Sequence, residues 1–365
     1  MTSPDADGPL DRPTEAAATR TVDPSRDGAA LVGGLGESAL LAAFLPRLPR
    51  PTTEDGSDGE VGNGDDAAVL RIGDPRVVAT VDTLVQDRDY RAVWPNGRVT
   101  AGHDVGFKGV AQNLSDLNAM AAHPVGLLVS LAMPPETSVD WVLSLADGIA
   151  DAIRTLGADG CSVAGGDLSG AREVVLTITA LGRLDDAGPL LRSGARPGDE
   201  LAVIGRVGEA AAGLALLEHP GRSAGTAPDV VGLSEELILA QLRPRPPLGA
   251  GAVAARAGAH AAMDLSDGLV RDAARLARAS GVRIDLDTDR LAPFADRLAP
   301  VAALLDVDPL AWCLAGGEDF GLLAAFPPGT VPAGFTAIGS VADGPAELLV
   351  DGRPSPRTGW DHFAA

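Results

Sequence analysis

Short apolar runs alternate with helical segments along most of this chain, and the two kinds of segment follow no fixed order. Brief runs rich in valine, leucine and isoleucine predict strands at 67–72, 76–85, 127–134, 161–167, 174–182 and 201–205. Longer stretches with helical apolar spacing predict helices, among them 102–122, 138–157 and 266–280. The last of these is expected to be capped by Ser266 or Asp267. Mixed strands and helices over 365 residues favour an α+β fold with about two domains.

The same pattern divides the chain into three parts. Residues 1–30 are rich in proline, aspartate, threonine and alanine without apolar periodicity, which predicts a disordered tail. An N-terminal domain is expected over 31–185, followed by a C-terminal α/β domain over 186–365. Within the second domain, 219–233 is interpreted as a surface insertion.

Charge and composition exclude several classes of function. Asp and Glu number 50 against 29 for Lys and Arg, a net charge of −21 that repels a nucleic-acid backbone. No apolar run approaches the ~20 residues that cross a bilayer, which argues against a membrane partner. The first residues lack the basic and apolar regions of a signal peptide, so we expect a cytoplasmic protein. Cys161 and Cys313 are far apart, which excludes a thiolate zinc site.

Acidic residues gather in six short clusters whose neighbours are mostly glycine, serine, threonine or alanine. Their carboxylates belong to Asp65, Asp66, Asp82, Asp116, Asp167, Asp264, Asp267, Glu318 and Asp319. Most clusters are predicted at strand ends, where small neighbours let a bulky ligand approach the backbone. Turn chemistry alone could explain any single cluster. Six together favour Mg²⁺, which binds carboxylate oxygens and is commonly shared with substrate phosphates.

A second signal is Lys108, the only lysine in the chain. In a sequence that otherwise uses arginine, one retained lysine suggests a site that needs a compact point charge. On the predicted helix 102–122, Gly109, Asn113 and Asp116 share one face, with Lys108 beside them. Chance retention of one lysine is the competing interpretation.

The usual ATP-binding motifs are missing from the sequence. The pattern GxxxxGK[ST] does not occur, and the protein-kinase HRD and DFG motifs do not form a set. The five histidines contain no metal-spaced pair, so a histidine-based site is weakly supported. Any use of ATP must therefore rely on a different phosphate-binding arrangement.

Eight motifs, in order, resemble those of the thiamine-monophosphate kinase family. They are GDDAAVL at 64–70, TVDTLV at 80–85, FKGVAQNLSDLNAMAAHP at 107–124, GGDLSG at 165–170, RSGARPGD at 192–199, MDLSDGL at 263–269, GGEDF at 316–320 and GWDHF at 359–363. Together they span roughly residues 34–363. Single motifs such as GGD are weak, but eight in the family's order are specific.

The resemblance implies a two-domain fold of the aminoimidazole ribonucleotide synthetase superfamily. In that superfamily the N-terminal sheets of two subunits pair, so a homodimer is expected, with ATP bound near its interface. The family transfers the γ-phosphoryl group of ATP to thiamine phosphate. Because the attacking phosphate oxygen is already ionised, this reaction needs alignment and charge neutralisation by several Mg²⁺ ions, and no general base.

The resemblance also implies roles for particular residues. The Mg²⁺ ligands would come from Asp66, Thr80, Val81, Asp82, Asp116, Asp167, Asp264 and Asp267. Within this set, the catalytic carboxylates would be Asp82, Asp116, Asp167 and Asp264. ATP would be contacted by Gly166, Asp167, Arg192 and Ser266. Thiamine phosphate would lie beside Asp89, Glu318 and Trp360.

One departure from the family pattern concerns the acceptor substrate. The family usually continues the VDTLV segment to a histidine that reaches the substrate, and Asp89 stands in its place here. Further departures are Leu168, where threonine is common, and Gly321, where glutamate is common. These changes leave the expected metal and ATP positions intact.

Two alternatives follow from the same sequence. Another ATP-dependent member of the superfamily would act on a different small anionic substrate. Selenophosphate synthetases and hydrogenase-maturation dehydratases, however, need a reactive N-terminal or C-terminal thiol that this chain lacks. A non-catalytic nucleotide-binding scaffold would be expected to lose metal carboxylates, and all the expected ones are present.

Overall fold

The computed structural model describes residues 31–35, 37–49, 76–220 and 228–354. The predicted tail at 1–30 and two expected site residues, Asp66 and Trp360, lie outside these ranges. The predicted strand over 67–72 also lies outside them.

The first half of the described chain forms a four-stranded sheet covered by helices. Its elements are α1 (Val32–Leu35), α2 (Glu37–Phe44), a 3₁₀ turn (Leu45–Arg47), β1 (Val77–Val85), α3 (Gly102–Ala119), β2 (His123–Met133), α4 (Val139–Thr155), β3 (Ser162–Gly170) and β4 (Val175–Arg183). The strand order is β1-β4-β2-β3, with β2 and β3 parallel and the other pairs antiparallel. Alternate residues of β4, Leu176, Ile178 and Ala180, point into the core.

Helix α3 is buried on almost every side. Among its residues only His103 and Asp116 are not buried. On one side it packs against α4, where a Cβ added at Gly106 would lie 2.1 Å from the Leu145 carbonyl oxygen. Glycine is therefore needed for the backbones of the two helices to approach this closely. Asp116 is left as the one partly exposed carboxylate in the second half of α3.

The second half forms a seven-stranded mixed sheet with helices around it. Its elements are β5 (Glu200–Ile204), α5 (Glu209–Glu218), α6 (Pro228–Leu242), α7 (Ala250–Arg256), β6 (Ala261–Asp264), α8 (Leu269–Ser280), β7 (Arg283–Leu286), α9 (Thr288–Leu305), α10 (Pro309–Ala315), β8 (Leu322–Phe326), β9 (Thr336–Ala342), β10 (Leu348–Val350) and β11 (Arg353–Pro354). The strand order is β11-β10-β7-β9-β5-β8-β6. On α8, Leu269, Ala273 and Leu276 form the buried stripe expected from their spacing.

The two sheets meet through α3, which contacts α7, β6 and β8. A Cβ added at Gly251 would lie 1.8 Å from the Asn118 carbonyl oxygen, so the first turn of α7 touches the last turn of α3. The Asn118 side chain also accepts a hydrogen bond from the Gly251 backbone N–H at 3.0 Å. The expected α+β class with two parts is confirmed, and α3 is the element that joins them.

Two local expectations are wrong. Gly166 and Asp167 lie inside β3, which continues to Gly170, because pairing with β2 extends the strand past them. Neither Ser266 nor Asp267 caps α8: Gly268 occupies that position, and the Asp272 carboxylate accepts both the Ser266 and Asp267 N–H groups.

The segment 219–233, interpreted from sequence as a surface insertion, is described only in part, because residues 221–227 lie outside the described ranges. Within its described part, Pro228 already begins α6, whose remaining residues continue to Leu242. Proline at the first helical position suits a helix start, because its missing N–H would be unpaired there.

No single helix among the described residues has the length and apolar character needed to cross a membrane. Helices α9 and α10 reach the length and apolar composition of a membrane span only when they are counted as one segment, and the angle between them is 117°.

Candidate active site

Two carboxylates from different halves of the chain meet at the contact between α3 and β6. Asp116 accepts a hydrogen bond from the Thr80 hydroxyl of β1, with 2.6 Å between Oγ1 and Oδ2. The neighbouring Ser115 hydroxyl donates to Oδ2 of Asp264, the last residue of β6, at 3.0 Å. Because Ser115 and Asp116 are adjacent on one helix, these bonds fix the two carboxylates beside each other.

The electrostatics of this pair are unfavourable without a further cation. Burial raises the pKa of Asp264 to about 8, and repulsion by Asp116 and Asp272 adds to the increase. Burial also raises the pKa of Asp116, although the Thr80 hydrogen bond and the positive charge of Arg192 act against it. Arg192 likewise lowers the pKa of Asp264, so its guanidinium lies near both carboxylates. One buried and one partly buried acid with a single arginine nearby are an incompletely neutralised site.

The oxygen donors of this site suit a hard divalent cation. Asp116, Asp264 and Thr80 offer carboxylate and hydroxyl oxygens, which Mg²⁺ prefers. Within the described ranges, no three His, Cys, Asp or Glu side chains converge closely enough to form a metal site by themselves. A cation here would need further oxygen ligands, which substrate phosphates and water supply in typical Mg²⁺ sites.

The GGEDF and MDLSDGL motifs lie side by side next to this pair. The backbone N–H of Glu318 donates to the Ser266 carbonyl at 2.9 Å, and that of Phe320 donates to the Leu265 carbonyl at 2.9 Å. A Cβ added at Gly317 would lie 2.6 Å from the Ser266 oxygen, so the contact requires glycine. Glu318 and Phe320 both adopt left-handed backbone conformations, with φ of 65° and 51°. Such conformations in non-glycine residues are typical of functional sites.

The Glu318 carboxylate is held from two directions. Lys108 of α3 approaches Oε1 at 2.6 Å, and the Gln241 side chain of α6 donates through Nε2 to Oε2. Lys108 Nζ also lies 3.4 Å from the Asp89 carbonyl oxygen, which brings the segment after β1 to the same place. Asp89 itself uses Oδ2 to accept the Val85 N–H at 2.7 Å. Asp89 and Glu318, both predicted beside the acceptor, are therefore close neighbours.

The remaining metal candidates of β1 lie on both faces of the strand. Asp82 is two residues from Thr80 and faces the same side of the sheet. Val81 points to the opposite face, where it is 58% exposed. Only Thr80 of these three has a described hydrogen bond to Asp116.

Gly166 and Asp167 are not brought to this carboxylate pair within one chain. Across the sheet, Thr83 is in register with Thr177, Thr177 with Ser130, and Ser130 with Asp167. Three strand spacings correspond to roughly 14 Å between β1 and β3. The GGD motif therefore lies at the opposite edge of the sheet from the VDT motif.

Asp267 is paired with arginines of α8. Its carboxylate contacts Arg275 at 2.5 Å and Arg271 at 3.8 Å, and both arginines project from α8. The sequence analysis missed Asp272, which organises this loop, and Gln241, which holds Glu318. An aspartate in the first turn of a helix is a recognisable signal for the former. No sequence signal identifies Gln241, because it comes from a helix without a motif.

Comparison with known proteins agrees with these motifs. The family models of the AIR synthase related proteins match residues 64–184 with their N-terminal domain and 196–331 with their C-terminal domain. The thiamine-monophosphate kinase of Mycobacterium tuberculosis is 41% identical over 332 residues, which cover 90% of this chain and 92% of that protein. The chain belongs to the thiamine-monophosphate kinase family. The Corynebacterium glutamicum member is 38% identical over 348 residues, covering 93% and 97% of the two chains.

Solved structures of the thiamine-monophosphate kinase family show the same fold. AaThiL complexed with AMPPCP and TMP matches with a TM-score of 0.68 and 28% identity, covering 92% of this chain and all of that one. The hydrogenase maturation protein HypE, solved with ATP, has a TM-score of 0.64 at 18% identity and so shares the fold alone. The family predicted from the eight motifs is confirmed.

Proposed function

We propose that this protein transfers the γ-phosphoryl group of ATP to thiamine phosphate, giving thiamine diphosphate and ADP. The observation that carries the proposal is the Asp116–Asp264 pair: Thr80 holds Asp116 within the first half of the chain, and Ser115 links that half to Asp264 of the second. It occurs in a chain 41% identical to a thiamine-monophosphate kinase, and a structural relative was solved with AMPPCP and TMP.

In this mechanism the chain aligns two anionic substrates and supplies few reacting groups of its own. Asp116 and Asp264 would hold Mg²⁺, which neutralises charge on the phosphates when it is bound. Arg192 would bind a phosphate oxygen pair through its planar guanidinium. The attacking oxygen of thiamine phosphate is ionised at neutral pH, so no side chain has to remove a proton.

The other expected site residues remain part of the proposal. Further Mg²⁺ ligands would be Asp66, Thr80, Val81, Asp82, Asp167 and Asp267. Gly166, Asp167, Arg192 and Ser266 would contact ATP, and Asp89, Glu318 and Trp360 would contact thiamine phosphate. Because Asp267 pairs with Arg275 and Asp167 lies at the far edge of the sheet, these two aspartates would contact a different phosphate from the carboxylate pair.

We also propose a homodimer formed through the face of the first sheet that the described residues leave exposed. Val77, Val81 and Leu128 are 47%, 58% and 42% exposed, and they lie on the face opposite α3. Large apolar side chains on one open sheet face favour a protein partner. Sedimentation analysis should give twice the mass of the 36.9 kDa chain, and Leu128→Asp should shift it toward the monomer. A wild-type monomer at micromolar concentration would contradict this arrangement.

The proposal includes a cytoplasmic location and domains bounded at 31–185 and 186–365. ATP as co-substrate supports the first, and a separate sheet in each segment supports the second. The negative charge of −21 supports a protein without a nucleic-acid or membrane partner.

The test is ADP formation with ATP and Mg²⁺ in the presence of thiamine phosphate, free thiamine or no acceptor. Turnover with thiamine phosphate alone, with thiamine diphosphate as product, is the expected result. ATP binding without transfer to thiamine phosphate would contradict the assigned acceptor. ATP binding without transfer to any acceptor would favour a non-catalytic scaffold.

A further inference from the structure

The only lysine of the chain is buried at the contact between its two halves. The Lys108 side chain is 4% exposed and belongs to α3, a helix that is buried on nearly every side. Placing an ammonium group in such a position is costly unless it is paired with an opposite charge. Its partner is the Glu318 carboxylate, at 2.6 Å.

Glu318 is constrained at both carboxylate oxygens. Lys108 contacts Oε1, and the Gln241 amide donates to Oε2. Gln241 is itself buried, and its own amide oxygen has no hydrogen-bond partner among the described residues. The only described polar contact of this side chain is therefore with Glu318, so the contact sets its orientation.

The backbone of Glu318 is also fixed, by its hydrogen bond to Ser266 and its left-handed conformation. The side chain nevertheless remains 32% exposed. A carboxylate that is anchored at its backbone and at both oxygens, yet still reaches solvent, is preorganised to receive a ligand. It has little freedom to turn toward a substrate on binding.

We propose that Lys108 and Gln241 are positioning residues that fix the Glu318 carboxylate at the acceptor end of the site. The inference rests on the proposed function, because it takes Glu318 as a contact of thiamine phosphate. It assigns Lys108 no contact with phosphate or ATP. A lysine suits this role because its compact ammonium fits a closely packed helix side, where a guanidinium would need more room.

A purely structural tether is the competing explanation, but other polar contacts already join the two halves. Arg243 pairs with the buried Asp104 at 2.6 Å, and Arg98 pairs with Glu235 at 2.9 Å. The loss of Lys108 should therefore change acceptor binding more than it changes the association of the two halves.

The ion pair can be tested without any substrate. A sample labelled with ¹⁵N at lysine Nζ should give one side-chain ammonium signal, since Lys108 is the only lysine. Burial and pairing slow proton exchange with water, so we expect the signal in the wild type and its shift or loss in Glu318→Gln. An absent wild-type signal, or one that Glu318→Gln does not change, would overturn the pairing.

Steady-state kinetics then test whether Lys108 positions the Glu318 carboxylate. Lys108→Met should raise the KM for thiamine phosphate about tenfold or more, and leave the KM for ATP within about twofold. Lys108→Arg should recover part of the loss, because it restores the charge. If Lys108 acts only through Glu318, the double variant Lys108→Met/Glu318→Gln should have the same KM as Glu318→Gln alone. If the two substitutions instead raise the KM for thiamine phosphate by separate factors that multiply in the double variant, Lys108 contacts a substrate directly. That result would overturn the inference.

Arg283→Met provides the matched control, because Arg283 forms an ion pair with Glu347 at 3.0 Å on β7. Its kinetic constants should match those of the wild type. A wild type that does not turn over thiamine phosphate would overturn the proposed function, whereas the ammonium signal would still decide whether Lys108 holds Glu318.

Discussion

The Ser115 hydroxyl donates a hydrogen bond to the Asp264 carboxylate at 3.0 Å, across 149 positions of sequence. Ser115 belongs to the helix of the first half, and Asp264 ends a strand of the second. Through this bond the residue beside Asp116 holds the second carboxylate of the site. Because the two carboxylates come from different halves of the chain, the candidate active site forms only when the two halves associate.

Asp116→Asn should abolish turnover, with a loss in kcat of at least about a hundredfold, because an amide is a poor ligand for Mg²⁺. The fold should survive, since the Asn side-chain oxygen can still accept the Thr80 hydrogen bond. Steady-state rates across a Mg²⁺ titration, with circular dichroism, provide the measurement. Asp140→Asn, at an exposed position of α4, is the control. Near-normal activity at any Mg²⁺ concentration would contradict the assignment.

Asp264→Asn should stabilise the protein in EDTA while removing its activity. Burial raises the pKa of Asp264 from 3.8 unfolded to about 8, so the wild type takes up a proton on folding between pH 4 and pH 8. The wild type therefore loses stability, relative to the variant, by up to about 1.4 kcal/mol per pH unit between pH 4 and pH 8.

Above pH 8 the difference in melting temperature between Asp264→Asn and the wild type should become constant. Saturating Mg²⁺ should reduce it, because the cation would stabilise the ionised wild-type carboxylate. Thermal melts at several pH values test this, and a difference that does not depend on pH would rule out an uncompensated Asp264.

Asp89→His should lower the KM for thiamine phosphate, because it restores the histidine usual in the family next to Glu318. It should also destabilise the protein by about 1 kcal/mol, since the Val85 N–H loses its carboxylate acceptor. The KM and the free energy of unfolding in urea are the two readouts. Arg88→His, at an exposed position of the same turn, should change neither. An unchanged KM would show that the contact is supplied elsewhere.

Gly317→Ala should raise the KM for thiamine phosphate and lower the free energy of unfolding by about 1–3 kcal/mol. Its Cβ would lie 2.6 Å from the backbone oxygen of Ser266, so the loop that carries Glu318 must move. Gly170→Ala is the control, because nothing lies within 4 Å of a Cβ at that strand position. Wild-type constants for Gly317→Ala would show that the loop tolerates displacement.

The sequence predicts the carboxylates of the candidate site but not the long-range contacts of the residues around them. Asp116 and Asp264 follow from motifs of short polar residues, and helix periodicity placed Lys108 near Asp116. The Lys108–Glu318 pair joins positions more than two hundred residues apart, and no local pattern encodes such a contact. Gln241 was missed for the same reason, since its partner is decided by the packing of α6.

The two wrong predictions, the end of β3 and the cap of α8, fall where hydrogen bonds to other residues outweigh a local sequence signal. Glycines in the GGD motif indicated a strand end, but eight backbone pairs with β2 carry β3 through them to Gly170. At α8, Ser266 and Asp267 resembled caps, yet the Asp272 side chain inside the helix accepts their N–H groups instead. Which side chain accepts these N–H groups depends on side-chain rotamers, which the amino-acid composition does not determine.

Helix α3, buried on nearly every side, carries Ser115 and Asp116, whereas Asp89 and Glu318 lie in loops next to it. In the proposed mechanism, the Asp116 carboxylate that would hold Mg²⁺ thus belongs to the part of the molecule that tolerates the least variation. The acceptor contacts would lie on loops outside this helix, where a side chain can be exchanged without repacking the core. A lineage, or a laboratory selection, could accordingly recruit this scaffold for a new phosphate ester by changing the loops alone. The replacement of histidine by Asp89 fits that freedom to diversify.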